Sequence, residues 1–377
     1  MKSIHKIFST VFVIAIMIFA VQIGYAGNKD RSGQAAAQHL LISPWGASNG
    51  WGAVGISSTR GLEATFTNVA GMAFASKTEI GYTNTLYCYG SGTMLNAFGI
   101  VQSLGVSKSG DPRGHLGLSA MIMDVGDIVT TTVNNPEGGL GTFSPMLMTL
   151  ALSYAKSFSD QIFAGATVKL INETTSDITA TGFAIDAGVQ YITGKHDQFQ
   201  IGVTLKNIGL PMSYKGDGLD FRGYVEGSSL LQTFSNRSQA YEMPALLSLG
   251  LSYDFLFGNK SNASSLGTTQ QNERITRNNS KHRITLAGAF VSNAYSKDQF
   301  IVGLEYDFSN YFQLRGAYTI EPGMWTNNTS VYMGPSCGTS ILIPLGKKSK
   351  SRIAIDYAYR FTEKWQGSHS IGARIIL

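Results

Sequence analysis

The chain has 377 residues, and only 14% of them are charged, against about 25% in ordinary soluble domains. Gly is frequent at 43 residues, and aromatics reach 11%. The formal charge of +5 comes from scattered basic residues rather than a patch, so composition points to no nucleic-acid partner. Beyond the N-terminus no run of 18 apolar residues occurs, which argues against a helical membrane protein.

Residues 1–26 read as a signal peptide. Lys2 and Lys6 precede a largely apolar stretch over 7–23, and Gly24-Tyr25-Ala26 supplies small residues for cleavage near Ala26. Residues 27–76 follow without clean alternation and carry Gly46, Gly50, Gly52, Gly55, Gly61 and Gly71. A short strand is expected over 40–42 and a helical turn or two within 61–73. The apolar content (Trp45, Trp51, Val54, Ile56, Leu62, Phe66, Met72) argues against a disordered tail and for an inward-folded plug or hatch.

From residue 77 to 377 the chain alternates apolar with polar or small side chains. Phe300, Val302, Leu304, Tyr306 and Phe308 share one face, and Gly303, Glu305 and Asp307 the other. Strands are predicted over 77–87, 94–107, 114–123, 144–157, 162–171, 181–192, 198–206, 245–256, 281–291, 299–308, 311–320, 337–344, 351–360 and 369–377. Their connections mostly alternate short and long, as the periplasmic turns and external loops of bacterial barrels do. Residues 172–180, 208–244 and 321–336 fall among the external loops. The stretch 259–280 is long where a short turn is expected. The fold class is therefore all-β, a transmembrane antiparallel barrel of about fourteen strands (77–377) with an N-terminal Gly-rich plug (27–76), placed in the outer membrane in contact with its lipid.

Chemistry-bearing motifs are few, and no enzyme, cofactor or metal site is read from them. Gly46-Ala47-Ser48-Asn49-Gly50 matches G-x-S-x-G, but it lacks the strand before and the helix after that would hold the Ser on an elbow. His5, His39, His115, His196, His282 and His369 show no metal-ligand spacing. Cys88 and Cys337 leave a disulfide open in an exported protein. On the inward phase lie Asp186, Gln190, Lys206, Glu305, Asp307, Gln313, Arg315, Asp356, Arg360 and Arg374. Charges facing lipid cost about 2–4 kcal/mol at the midplane for Arg or Lys, so these are expected to form a lumen-facing polar network. Both signs occur, which favours a network tying plug to wall over a selective pore.

Ala37-Gln38-His39-Leu40-Leu41-Ile42, Gly61-Leu62-Glu63-Ala64 and Asn68-Val69-Ala70-Gly71-Met72-Ala73 resemble the N-terminal hallmark of PorV/PorQ-type outer-membrane proteins, within the wider FadL-like barrels. Thr67, Val69 and Met72 depart from that family's W-N-P-A-G-L-A pattern, whereas Asn68, Ala70 and Gly71 keep it. Similar stretches run from Asp124-Val125-Gly126-Asp127-Ile128 through 180–191 to Leu205-Lys206-Asn207-Ile208-Gly209. The resemblance implies a hatched fourteen-strand barrel and a component or accessory of type IX secretion, with a translocon or secreted cargo protein as partner at the external loops. The alternative is a FadL-like transporter of small hydrophobic molecules, which requires an apolar pocket inside the barrel.

Overall fold

The computed structural model describes residues 27–107, 112–227, 229–258, 280–326, 330–346 and 351–377. The expected signal peptide, the 259–279 part of the long polar stretch, and Lys347, Lys348 and Lys350 lie outside the described residues.

Fourteen antiparallel strands close into one barrel. They are β1 (Thr78–Leu86), β2 (Met94–Ser103), β3 (His115–Asp124), β4 (Met146–Ser157), β5 (Ile162–Thr175), β6 (Ile178–Thr193) and β7 (Phe199–Gly209). Then follow β8 (Leu246–Phe257), β9 (His282–Asn293), β10 (Gln299–Phe308), β11 (Phe312–Ile320), β12 (Tyr332–Pro344), β13 (Arg352–Thr362) and β14 (Ser368–Ile376). Each pairs with its chain neighbours, and β14 closes on β1, so no edge is left open. Two small ribbons, Ile128–Val129 with Thr142–Phe143 and Asp220–Tyr224 with Leu231–Ser235, stand on the β3–β4 and β7–β8 connections. Among the described residues no helix is long and apolar enough to cross a membrane.

The period of two sets the two faces. Along β6, Phe183, Ile185, Val189 and Tyr191 point outward and are exposed, while Ala180, Ala184, Asp186 and Gln190 are buried. A soluble protein would hide the first set; lipid stabilises it where it stands.

Residues 27–76 fill the lumen as a chain of short turns: Lys29–Arg31, Gln38–Leu41, helix α1 (Gly46–Gly50), Gly61–Glu63, helix α2 (Ala64–Thr67) and Val69–Phe74. This inner segment starts against Ser296 and Asp298 on the β9–β10 connection. It leaves at the opposite end, where β1 begins. The first end carries the long β3–β4 and β7–β8 connections and is the external one by the loop rule.

The wall is thinned to glycine where this segment packs. A Cβ at Gly188 would lie 2.2 Å from Asn68 Oδ1, at Gly202 2.3 Å from Ile56 O, and at Gly99 2.7 Å from Trp45. On the other side, a Cβ at Gly303 would lie 2.7 Å from Val54, and one at Gly338 2.7 Å from the Gly50 backbone. These glycines serve close approach, and the high Gly content of the strands has its physical reason there.

Three expectations change. The 172–180 loop reduces to Ser176-Asp177, because the β5–β6 ladder stays paired from Asn172↔Thr181 out to Thr175↔Ile178. The strand expected from 337 begins at Tyr332, across a bulge between Tyr332 and Ser336 that alternation alone cannot register. Residues 40–42 form no strand, since Gln38–Leu41 is a 3-10 turn entered through Ala37 at φ 49°. The cysteines are free: Cys88 is buried in the β1–β2 turn and Cys337 is exposed on the outward face of β12.

Candidate functional site

The lumen presents two unlike flanks to the inner segment. Along β9–β14 it is charged. Arg283 holds Glu305 at 2.7 Å and Asp307 at 3.4 Å, and Arg315 Nε holds Glu305 at 2.6 Å. Gln313 donates to Asp307 at 2.6 Å, and Arg315 donates to Ser340 Oγ at 2.6 Å and also to Gln313. Ser340 in turn donates to Asp356, which Arg374 Nε holds at 2.7 Å. Arg374 also lies 3.3 Å from Glu63, and Glu63 accepts the Ser48 hydroxyl at 2.7 Å. The ladder of ion pairs thus ends on the inner segment. Glu79 adds a second anchor by accepting the N–H groups of Leu62 (2.8 Å) and Ser76 (3.0 Å).

Along β3–β8 the contacts are largely neutral. Asn68 caps the Val69–Phe74 turn through the Ala70 N–H (3.1 Å), and its amide donates to Ile56 O (2.8 Å) and Val189 O (3.1 Å). The Gly71 N–H donates to Asn68 O at 2.9 Å, and a Cβ on Gly71 would lie 2.1 Å from Thr59 O. Gln190 donates to Ile56 O (3.2 Å) and Thr59 O (3.3 Å). Lys169 pairs with Asp186 at 2.6 Å and donates to Asn207 at 2.8 Å, beside a bulge in the β6–β7 ladder. The Lys206 ammonium stands 3.6 Å over the Phe66 ring.

Between this flank and the inner segment lies a cavity of about 30 Å³, lined mainly by apolar groups such as Leu40, Trp45, Phe66, Met121 and Ala151, with Thr65, Ser119, Thr149 and Lys169 as its polar members. Further out a cleft of about 560 Å³ opens among Ala35, Ala36, Ile178, Tyr214, Arg237 and Tyr241. Leu40 separates the two, packed with Ile171, Met212 and Met243. A polar thread passes the same barrier. Tyr214 donates to Glu173, Glu173 lies 3.3 Å from His39 Nδ1, and His39 Nε2 contacts Thr149 at 2.9 Å. Burial and the Glu173 carboxylate push the Tyr214 phenol up, so it remains a donor.

The ten inward polar residues are buried in this interior or hold partners across it; among the described residues Arg360 has no carboxylate at ion-pair distance and lies over the Tyr332 ring. Glu305, Asp307, Gln313, Arg315, Asp356 and Arg374 gather on one flank, Asp186, Gln190 and Lys206 on the other. Sequence reasoning passed over Lys169, Glu173, Arg283 and Glu79, although the same alternation places them inward. It also passed over His39 and Glu63, where no period exists to read. Ser48 sits inside α1 rather than on a strand-to-helix elbow. Among the described residues no three His, Cys, Asp or Glu side chains gather as a metal site.

No protein-family model and no curated protein matches the chain. Solved structures do. The Pseudomonas putida toluene transporter TodX matches with a TM-score of 0.51 at 13% identity, over 89% of this chain and 97% of TodX. The CymD monoaromatic hydrocarbon channel matches with a TM-score of 0.50 at 12% identity, over 89% of this chain and 96% of CymD. At these identities the likeness is one of fold.

Proposed function

We propose that this barrel is a FadL-like conduit for small hydrophobic molecules across the outer membrane. The observation that carries the reading is the pair of spaces on either side of Leu40. An outer cleft and an inner, mainly apolar cavity lie on the flank where the inner segment is held mostly by neutral contacts, with Arg31–Glu242 and His39–Glu173 as its charged ties. The inner cavity has room for water and not for a ring, so passage requires residues 38–45 to shift. The fold shared with hydrocarbon channels supports the same reading.

Uptake of labelled toluene by cells with and without the protein tests it. Uptake should rise with the wild type and fall back with Leu40→Trp, which fills the gap between the two spaces. Equal rates with and without the wild-type barrel would sink the proposal. The PorV/PorQ-type secretion role rests on motif resemblance and on one structural point, the exposed Phe221, Tyr224 and Leu231 of the external ribbon. Co-purification of a secretion component from outer membranes would restore it.

A further inference from the structure

Glu173 on β5 is 5% exposed and stands two residues from the external end of its strand. Among the described residues no lysine or arginine lies at ion-pair distance from it. Its carboxylate instead faces His39 Nδ1 at 3.3 Å and accepts the hydroxyl of Tyr214. A carboxylate in a dry site needs donors on its oxygens, and one of the donors here is a phenol.

Tyr214 comes from the β7–β8 connection, not from the wall. Its backbone is held on both sides, by the Met212 N–H on Tyr241 O at 2.8 Å and the Lys215 N–H on Thr179 O at 2.9 Å. Its half-buried ring packs on the Leu40 cluster, meets Tyr241 edge-on at 6.3 Å and lines the outer cleft. Thr175, next after Glu173 on the inward face of β5, lines the cleft too. The phenol therefore stands between cleft and carboxylate. A change of its side-chain rotamer toward the water of the mouth would open Glu173 to the cleft with the backbone left in place.

What Tyr214 supplies defines what can replace it: a neutral ring with one hydroxyl. A hydrocarbon displacing it would strand the buried carboxylate. A carboxylate ligand would set like charges side by side. The cleft, at about 560 Å³, has room for a single ring, and its walls mix Ala36, Ile178 and Leu219 with Thr175, Ser238 and Gln239. Beyond Glu173, His39 and Thr149 continue the polar line to the inner cavity beside the apolar Leu40. We propose that a small phenol takes the place of the Tyr214 hydroxyl on Glu173, so that hydroxylated single-ring aromatics are the solutes admitted, a narrowing of solute class that rests on the conduit reading.

p-Cresol, toluene and p-methylanisole share a ring and a methyl group and differ in carrying a hydroxyl, nothing or a methylated oxygen. Calorimetric titration of each into the detergent-purified full chain, with barrel-free micelles subtracted, tests the proposal. In the wild type one phenol displaces another, so p-cresol should bind at most a few-fold tighter than toluene. Tyr214→Phe keeps the ring and removes the competing hydroxyl. It should tighten p-cresol about tenfold or more, as gain of a charge-assisted hydrogen bond does, and leave the other two probes within about twofold. Adding Glu173→Gln to Tyr214→Phe should remove most of that gain. Heat-modifiable gel migration checks folding. The wild type supplies a readout that needs no variant: with ring-labelled tyrosine, the Tyr214 resonance should move toward that of a solvent-exposed tyrosine under saturating p-cresol and stay in place under toluene. Unchanged p-cresol affinity in Tyr214→Phe, equal tightening of all three probes, a gain that survives Glu173→Gln, or a Tyr214 resonance that toluene moves as far would each overturn the phenol site and leave the conduit standing. Failure of toluene and p-cresol alike to bind either protein up to roughly 3 mM would sink both.

Discussion

The two flanks of the inner segment are built from opposite materials. On β9–β14 a run of carboxylates and guanidiniums passes from Asp307 to Arg374 and ends on Glu63. On β3–β8 the inner segment meets amides, hydroxyls, glycines and an apolar cavity, and the Lys206 ammonium rests on an aromatic ring instead of an acid. Buried ion pairs contribute little net stability, but breaking one leaves a charge stranded. Neutral packing separates and reforms at far lower cost. One segment can therefore be clamped along one side and yielding along the other, and a solute has a side on which to pass.

The largest expected effect tests the clamp. Arg374→Met removes the cation shared by Asp356 and Glu63 and should cost about 3–5 kcal/mol. Lys206→Met removes a cation that holds no carboxylate at ion-pair distance among the described residues, and should cost less. The temperature at which the heat-modifiable band shifts reads both, and protease access to residues 46–63 should rise in the first variant alone. Equal shifts in the two variants would mean that the flanks do not differ as described.

A smaller effect tests how closely wall and inner segment fit. Gly188→Ala drives a methyl against Asn68 Oδ1 and should cost about 1–3 kcal/mol by overpacking. Gly288, on the outward face of β9 away from the inner segment, has nothing within 4 Å of its would-be Cβ, so Gly288→Ala should leave the melting temperature unchanged or slightly raise it. A neutral Gly188→Ala would show that the segment yields at Asn68 and would move the clamp elsewhere.

The wall was legible because alternation is imposed on every strand by lipid outside and the lumen inside. In β10, Val302, Leu304 and Phe308 could only face out once Glu305 and Asp307 faced in. The fourteen predicted strands all find counterparts. The bulges at Ile185/Ala187 and Tyr332/Ser336 were not legible, since an extra residue shifts phase locally and leaves the pattern intact on either side. The inner segment was legible only as compact and apolar. Its turns are too short to carry a period, so nothing in sequence tells that Asn68 would reach Val189 or Glu63 would reach Arg374. Alternation assigns a residue to a face and never to a partner, and for that reason the difference between the flanks was invisible. The wall glycines illustrate the same limit, because their spacing makes sense only once the segment they admit is in place.

The smallest effect concerns the far end of the yielding side, where the inner segment begins. Arg31 donates to Tyr295 at 2.8 Å and to Glu242 at 3.1 Å, Tyr295 donates to Glu242, and the Ala36 N–H donates to Glu242 O at 2.9 Å. The Tyr295 hydroxyl, and after it Arg31, holds the Glu242 carboxyl below the ordinary glutamate value. A carboxyl depressed in the folded state stabilises above its unfolded pKa, and that contribution disappears as pH falls through the folded one. The tie should therefore be complete at neutral pH and loosen only in acid below the usual glutamate range. Being solvent-exposed, it should also weaken with salt. Amide exchange over residues 29–36 should accelerate on acidification beyond the intrinsic pH trend, and Glu242→Gln should abolish that extra step. Residues 61–63, held by Glu79 and Arg374, should stay protected over the same range. If both stretches loosened together, the inner segment would move as one body, and the contrast between a clamped and a yielding flank would not describe it.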